Sequence, residues 1–142
     1  MTQPKKNNCE TILVVENDLL VLKAVRSILE DAGFCVLAAR IGEQAIKIAG
    51  GHESIHLLLS GVMMSDMPGT HLAHFLRKRR PEMRVILMAS YSGGDMLFLN
   101  HGWQFIEKSF LSVQLVEKVN EVLHSPDRSE GDDLYLKPKV AA

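Results

Sequence analysis

The chain predicts an α/β fold, a doubly wound sheet of five parallel strands with helices on both faces, and three observations carry that prediction. Its apolar runs are short and nearly continuous rather than alternating, as strands buried on both faces are. Between them the hydrophobic period changes to three or four residues, the mark of amphipathic helices. The polar, Gly-rich and Pro-rich breaks fall just after several of the apolar runs, at the carboxyl ends of strands, where open α/β sheets collect their ligands.

Thr11 to Val15 is the first β-branched and apolar run, and it opens into polar Glu16, Asn17 and Asp18. From Asp18 the period shifts: Leu22, Val25, Leu29 and Ala32 share one helical face, Asn17 or Asp18 is placed to cap the first turn, and Gly33 supplies the positive φ that ends the helix. Phe34 to Ala39 is the second strand, followed by a weaker helical pattern from Gly42 to Ala49 that Gly50 and Gly51 close. The third apolar run, Ile55 with Leu57 to Leu59, breaks at Gly61 and passes through a loop to Gly69. Leu72, Phe75 and Leu76 then mark a helix whose basic end, Arg77 to Arg80, precedes Pro81; cations favour a helix C-terminus and proline stops its continuation.

Arg84 to Ala89 predicts the fourth strand, Ser92 to Gly94 a turn, Asp95 to Asn100 a short helix, and Trp103 to Glu107 the fifth strand. Leu111 to Leu123 is the last helix, with Leu115, Val116, Val119, Val122 and Leu123 on one side. Residues 1–10 read as an extension, 11–124 as the domain and 125–142, charged and poor in apolar residues, as a flexible tail. The expected strand order is the flavodoxin-like 2-1-3-4-5, whose crevice lies between strands 1 and 3. That order gathers Glu16, Asn17, Asp18 and Gly61 at one edge, with Ala89 and Lys108 closing it.

With 142 residues the chain is long enough to bury most of its apolar surface without metals or disulfides as staples. A net charge of -1 provides no global field for drawing in nucleic acid or an anionic membrane. Cys9 and Cys35 lack metal-ligand spacing. They stand near the starts of adjacent predicted strands, within reach of each other, yet the expectation is reduced, inert thiols in a cytoplasmic setting. The N-terminus has no apolar leader and no run reaches membrane-spanning length, which argues against secretion and insertion.

Four stretches, ILVVEND, LLLSGVMMSDMPG, VILMASYSGG and FIEKSF, stand in an order and at a spacing that resemble the receiver domain of two-component response regulators, the chemotaxis-regulator-like module. The resemblance runs from about Thr11 to Leu123. It implies a signalling domain phosphorylated by a histidine kinase on an aspartate that ends the third strand, with an acidic pair holding Mg²⁺, a hydroxyl residue ending strand four, an aromatic switch and a Lys-Pro pair on strand five. Carried over position by position, the acidic pair falls on Glu16 and Asn17, the phosphoacceptor on Gly61, the hydroxyl on Ala89, the aromatic on Phe105 and the lysine on Lys108, with Ser109 in place of proline.

Those replacements predict a degenerate form, a pseudo-receiver. Phosphoryl transfer needs a nucleophilic oxygen, and Gly61 offers only backbone. Mg²⁺ prefers oxygens anchored by carboxylates, so a lone acid beside Asn17 is a poor cage and no cofactor is expected. Ala89 cannot bond a phosphoryl oxygen. Asp66 and Asp18 are the carboxylates able to substitute as acceptor, against their plain readings as a loop carboxylate and a helix cap. A Glu16 to Lys108 contact is expected to keep the crevice closed.

Other features have plain readings beside sharper ones. The basic run Arg77 to Arg80 reads as a solvated helix end rather than a nucleic-acid contact, having no interleaved aromatics. His71 and His74 have metal-binding spacing and no evident third ligand. Met63 is expected in the core, with Met64 and Met67 open. Trp103 and Phe105 share a face of the last strand and, with Glu107 and Lys118, form a candidate docking face, the alternative being rings that pack under neighbouring helices.

The leading expectation is therefore a stand-alone receiver-like module, not an enzyme, that docks on a histidine kinase, another regulator or a second copy, with no nucleic-acid or membrane partner; the residues after Ser125 are too few for an output domain. A receiver phosphorylated on a substitute carboxylate is the alternative. A flavin-binding or small-molecule-binding protein is the reading from another class, and the anionic loop ENDLL after the first strand is wrong for cradling a phosphate.

Overall fold

The computed structural model describes residues 9–89, 103–108 and 112–125. Among them, five strands form one sheet: β1 (Thr11–Val15), β2 (Cys35–Ala39), β3 (Leu57–Gly61), β4 (Arg84–Ala89) and β5 (Gln104–Glu107). Four helices are described: α1 (Leu19–Asp31), α2 (Gly42–Gly50), α3 (Gly69–Arg79) and α4 (Ser112–Leu123). The order is β2-β1-β3-β4-β5, every pair parallel, as the alternating periods predict. The predicted turn at Ser92 to Gly94, the helix at Asp95 to Asn100, Ser109 and the tail from 126 onward lie outside the described residues.

The strands read as continuous apolar runs because both faces are covered. Leu13, Val15, Leu58 and Leu87 point to one side with Ala45 and Ala49 of α2 and Leu72, Ala73 and Leu76 of α3. Ile12, Val14, Leu57, Leu59, Ile86 and Met88 point to the other, against Leu22, Val25 and Leu29 of α1 and Leu115, Val119 and Val122 of α4. All five β3 residues are buried. At roughly 25 cal/mol per Å² of apolar surface removed from water, these two layers supply the main driving force for folding.

Local signals end the helices where the chain must turn back. Asp18 is the N-cap of α1: its Oδ1 accepts from the amides of Leu20 at 3.0 Å and Val21 at 3.4 Å. At the other end Gly33 takes φ 100°, its amide donates to Glu30 O at 3.0 Å and that of Phe34 to Leu29 O at 3.1 Å, the Schellman motif.

Arg80 departs from the expected solvated helix end. Its guanidinium donates to the carbonyls of Ala49 at 2.6 Å, His52 at 2.7 Å and Glu53 at 3.1 Å, so it braces the exit of α2 against α3. Five donors in a planar fork suit several converging carbonyls, which a lone ammonium cannot match.

The expectation of reduced cysteines is also corrected: Cys9 and Cys35 form a disulfide, with Cα atoms 5.6 Å apart. The register explains it, because Thr11 is opposite Cys35 and the Cys35 amide donates to Glu10 O at 2.9 Å, which brings the lead-in to β1 alongside the start of β2.

Candidate functional site: a filled crevice at the strand carboxyl ends

Parallel strands carry whatever follows them to one edge of the sheet. Here β1 delivers Glu16, β3 delivers Gly61, and β4 and β5 deliver Ala89 and Lys108. The strand pattern continues one step past the ends: the Glu16 amide donates to Ala39 O at 3.0 Å, that of Val62 to Met88 O at 3.1 Å and that of Lys108 to Ala89 O at 2.8 Å. These bonds fix the backbone from which the two charged side chains extend.

Glu16 is 1% exposed and turns back over the sheet edge. Its Oε2 accepts from the Asp18 amide at 3.0 Å and from Lys108 Nζ at 3.2 Å, while Oε1 lies 3.0 Å from the same ammonium. Oε1 is buried and accepts no directed hydrogen bond, so its contact with Lys108 is an ion pair and not a bond along a lone pair. The expected Glu16 to Lys108 contact is thus present, with Lys108 keeping 28% of its side chain in solvent.

Gly61 explains how the carboxylate fits. A Cβ built on Gly61 would lie 2.9 Å from Glu16 Oε1 and 3.9 Å from Lys108 Nζ, so Glu16 stands in the space that a side chain at 61 would enter. The next turn is as tight: a Cβ on Gly69 would overlap the carbonyl oxygen of Gly61, and the Gly69 amide donates to Val62 O at 2.6 Å. Only glycine lets α3 begin against the end of β3.

The remaining candidates are placed as follows. Asn17 is exposed, and its carbonyl accepts from Arg40 Nη2 at 3.3 Å. Ala89 is fully buried. Asp18 is occupied as the α1 cap. Asp66 turns away to the start of α2, where Oδ1 accepts from the Gly42 amide and Oδ2 from that of Glu43, each at 2.9 Å. Desolvation, the largest single influence, pushes the Asp66 pKa up, but the amides of Gly42, Glu43 and its own residue together outweigh it and hold the carboxyl below the usual carboxylate value.

Met63 reverses its expected role. It is 49% exposed, while Met64 is buried and Met67 half-buried. The antiparallel bridge of Met63 to Pro68 and the Met64 amide donating to Met67 O at 3.2 Å fold this loop so that Met64 turns inward instead.

The candidate docking face divides. Trp103 packs against the α2 and α3 side of the sheet and meets the His74 ring edge-on at 5.1 Å, Phe105 is 36% exposed and Glu107 half-buried. Lys118 donates instead to Gln104 Oε1 at 3.1 Å, on the side where Ile106 packs, since alternate residues of a strand face opposite ways. His71 and His74 are both exposed, and among the described residues no group of three or more His, Cys, Asp or Glu is arranged to hold a metal ion.

The response regulator receiver domain pattern matches residues 12–120. The chain belongs to the response regulator receiver family. It is 31% identical to the sensor kinase CckA of Brucella abortus over 124 residues, covering 82% of this chain and 13% of CckA. It is 32% identical to the transcriptional regulatory protein CpxR of Escherichia coli over 121 residues, 84% of this chain and 51% of CpxR. The receiver thus spans about half of one relative and a small part of the other. Among solved structures, a CheY-like receiver domain protein from Methanospirillum hungatei superposes with a TM-score of 0.72 at 29% identity, covering 92% of this chain and 98% of that one. A receiver protein from Sinorhizobium medicae, at TM-score 0.75 and 24% identity over 85% of this chain and 99% of that one, shares the fold. Among the described residues no helix is long and apolar enough to cross a membrane.

Sequence reasoning assembled the crevice and foresaw its ion pair. It missed that Glu16 turns into the space beside Gly61, for which the glycine itself was the available signal, and it missed the disulfide, although the cysteines stood near paired strand starts.

Proposed function

We propose that this receiver is a cytoplasmic signalling module that works by protein docking and is not phosphorylated in its crevice. One observation carries the reading: the Glu16 carboxylate fills the space beside Gly61 and pairs with Lys108 there. The crevice then has its negative charge built in. A phosphoryl donor would meet a backbone at residue 61 and a carboxylate already committed to an ammonium. Mg²⁺ does not fit this donor set, since the carboxylate that would anchor it faces Lys108 and its neighbours are Asn17 and Gly61. With Ala89 in place of a hydroxyl, the usual link from phosphoryl group to strand four is absent.

Signalling then rests on surfaces, and β5 offers Phe105 beside Trp103 and Glu107 to a histidine kinase, another regulator or a second copy of the chain. Incubation with acetyl phosphate and Mg²⁺ followed by intact-mass measurement tests the reading. An unchanged mass is expected. A phosphoryl adduct on a carboxylate, whether at Asp66, Asp18 or Glu16, would overturn it.

A further inference from the structure

The pole of the sheet opposite the crevice carries a second chemistry. Cys9 and Cys35 are the two cysteines of the whole chain, and they are bonded to each other. Both residues are half-buried rather than sealed in the core, and β2 is an edge strand. The described part of the lead-in they hold is short, Cys9 and Glu10, and among the described residues it has few other attachments. Glu10 O accepts one hydrogen bond, from the Cys35 amide at 2.9 Å, and the Glu10 carboxylate lies 3.1 Å from His124 Nε2 just beyond α4. An exposed pair of that kind contributes little. Among the described residues the disulfide is therefore the covalent tie between the lead-in to β1 and the start of β2, beside the Cys35–Glu10 backbone hydrogen bond.

The fold does not depend on it. From Thr11 onward β1 pairs with β2 over five residues and with β3 on its other side, and both core layers are built without either sulfur. A domain with a core this size needs no disulfide as a staple.

We propose that Cys9 and Cys35 form a reversible thiol–disulfide clasp that exchanges with glutathione-class thiols and sets whether the Cys9–Glu10 lead-in is held against the edge strand. In the opening direction one glutathione thiolate attacks a sulfur of the bond, releasing the other cysteine as a thiolate that takes a proton and leaving a mixed disulfide. A second glutathione thiolate resolves it. The protein gains two electrons and two protons as two thiols, and one glutathione disulfide is formed. Closing is the reverse, with glutathione disulfide as the oxidant.

The test equilibrates the full chain with mixtures of reduced and oxidised glutathione from both directions, blocks thiols with iodoacetamide and counts them by intact mass, with far-UV circular dichroism on the same samples. The expected result is a reversible passage between no blocked thiols and two, an unchanged spectrum, and a Tm lower in the reduced form by about 10 °C, the size expected for opening a loop of this length. Cys9→Ser is expected to hold the lower Tm in every mixture. The proposal is overturned if the bond yields only in denaturant, if both thiols stay free in oxidising mixtures, if reduction unfolds the domain, or if Cys9→Ser shows the same redox-dependent Tm as the native chain.

Discussion

Glu16 Oε1 lies 2.9 Å from the point where a Cβ on Gly61 would stand, and 3.0 Å from Lys108 Nζ. The carboxylate and the ammonium come from residues 92 apart in sequence, and the bare glycine between their strands is what lets them meet. Charge, space and backbone at this edge form one unit, and its energetics can be probed from each member.

Removing the cation strands a buried anion. Lys108→Met is expected to cost about 3 kcal/mol, because breaking a buried pair leaves an uncompensated charge. Glu16→Gln is expected to cost less, since the partner it leaves behind is partly in water. Urea denaturation of the two variants gives the comparison, and equal losses would show that Glu16 is solvated in a way its 1% exposure denies.

Arg80 is expected to resist conservative replacement. Arg80→Lys keeps the charge but cannot serve the carbonyls of Ala49, His52 and Glu53 together. A loss of about 2 kcal/mol is expected, the size of a charged hydrogen bond, carried mainly by the bond to the part-buried Ala49 carbonyl since His52 and Glu53 are exposed. Amide exchange at the C-terminal turn of α2 should quicken in the same variant.

Asp66 ties stability to pH in the acid range. Its folded pKa is below the value of 3.8 it has when unperturbed, so the ionised form is favoured by folding. Its contribution is present above that value and disappears as pH falls through the lower folded one. Asp66→Ala is expected to cost about 1 kcal/mol at neutral pH, because the first two amides of α2, at Gly42 and Glu43, lose the carboxylate that accepts from them. The gap between variant and native chain should close in the most acidic denaturation curves.

The sequence made the fold legible because its signals agree across levels. Apolar runs from Thr11 to Val15 and from Arg84 to Ala89 became β1 and β4 with the same ends, and Gly33 ended α1 with the positive φ expected of it. Parallel order then brought Glu16 and Lys108 to one edge, so their pairing followed from topology alone. What stayed hidden depends on side-chain choice after the backbone is set. Met63 and Met64 are adjacent and chemically alike, and only the loop's bridge to Pro68 decides which turns inward. Arg80 looked like a surface charge because its carbonyl partners, Ala49, His52 and Glu53, are some thirty positions away. Lys118 seemed to share a face with Phe105 until strand alternation placed Gln104 on the opposite side.

Whether Glu16 supplies the carboxylate that residue 61 lacks is decided by a double-mutant cycle across the two positions. Gly61→Asp alone should destabilise the domain, by crowding Glu16 and setting two carboxylates on one ammonium, and Glu16→Ala alone should destabilise it by emptying the space and unpairing Lys108. In the double variant Asp at 61 takes up Lys108, so the urea midpoint should recover, with a coupling of at least about 1 kcal/mol in favour of the pair. Additive losses from the two substitutions would contradict the claim.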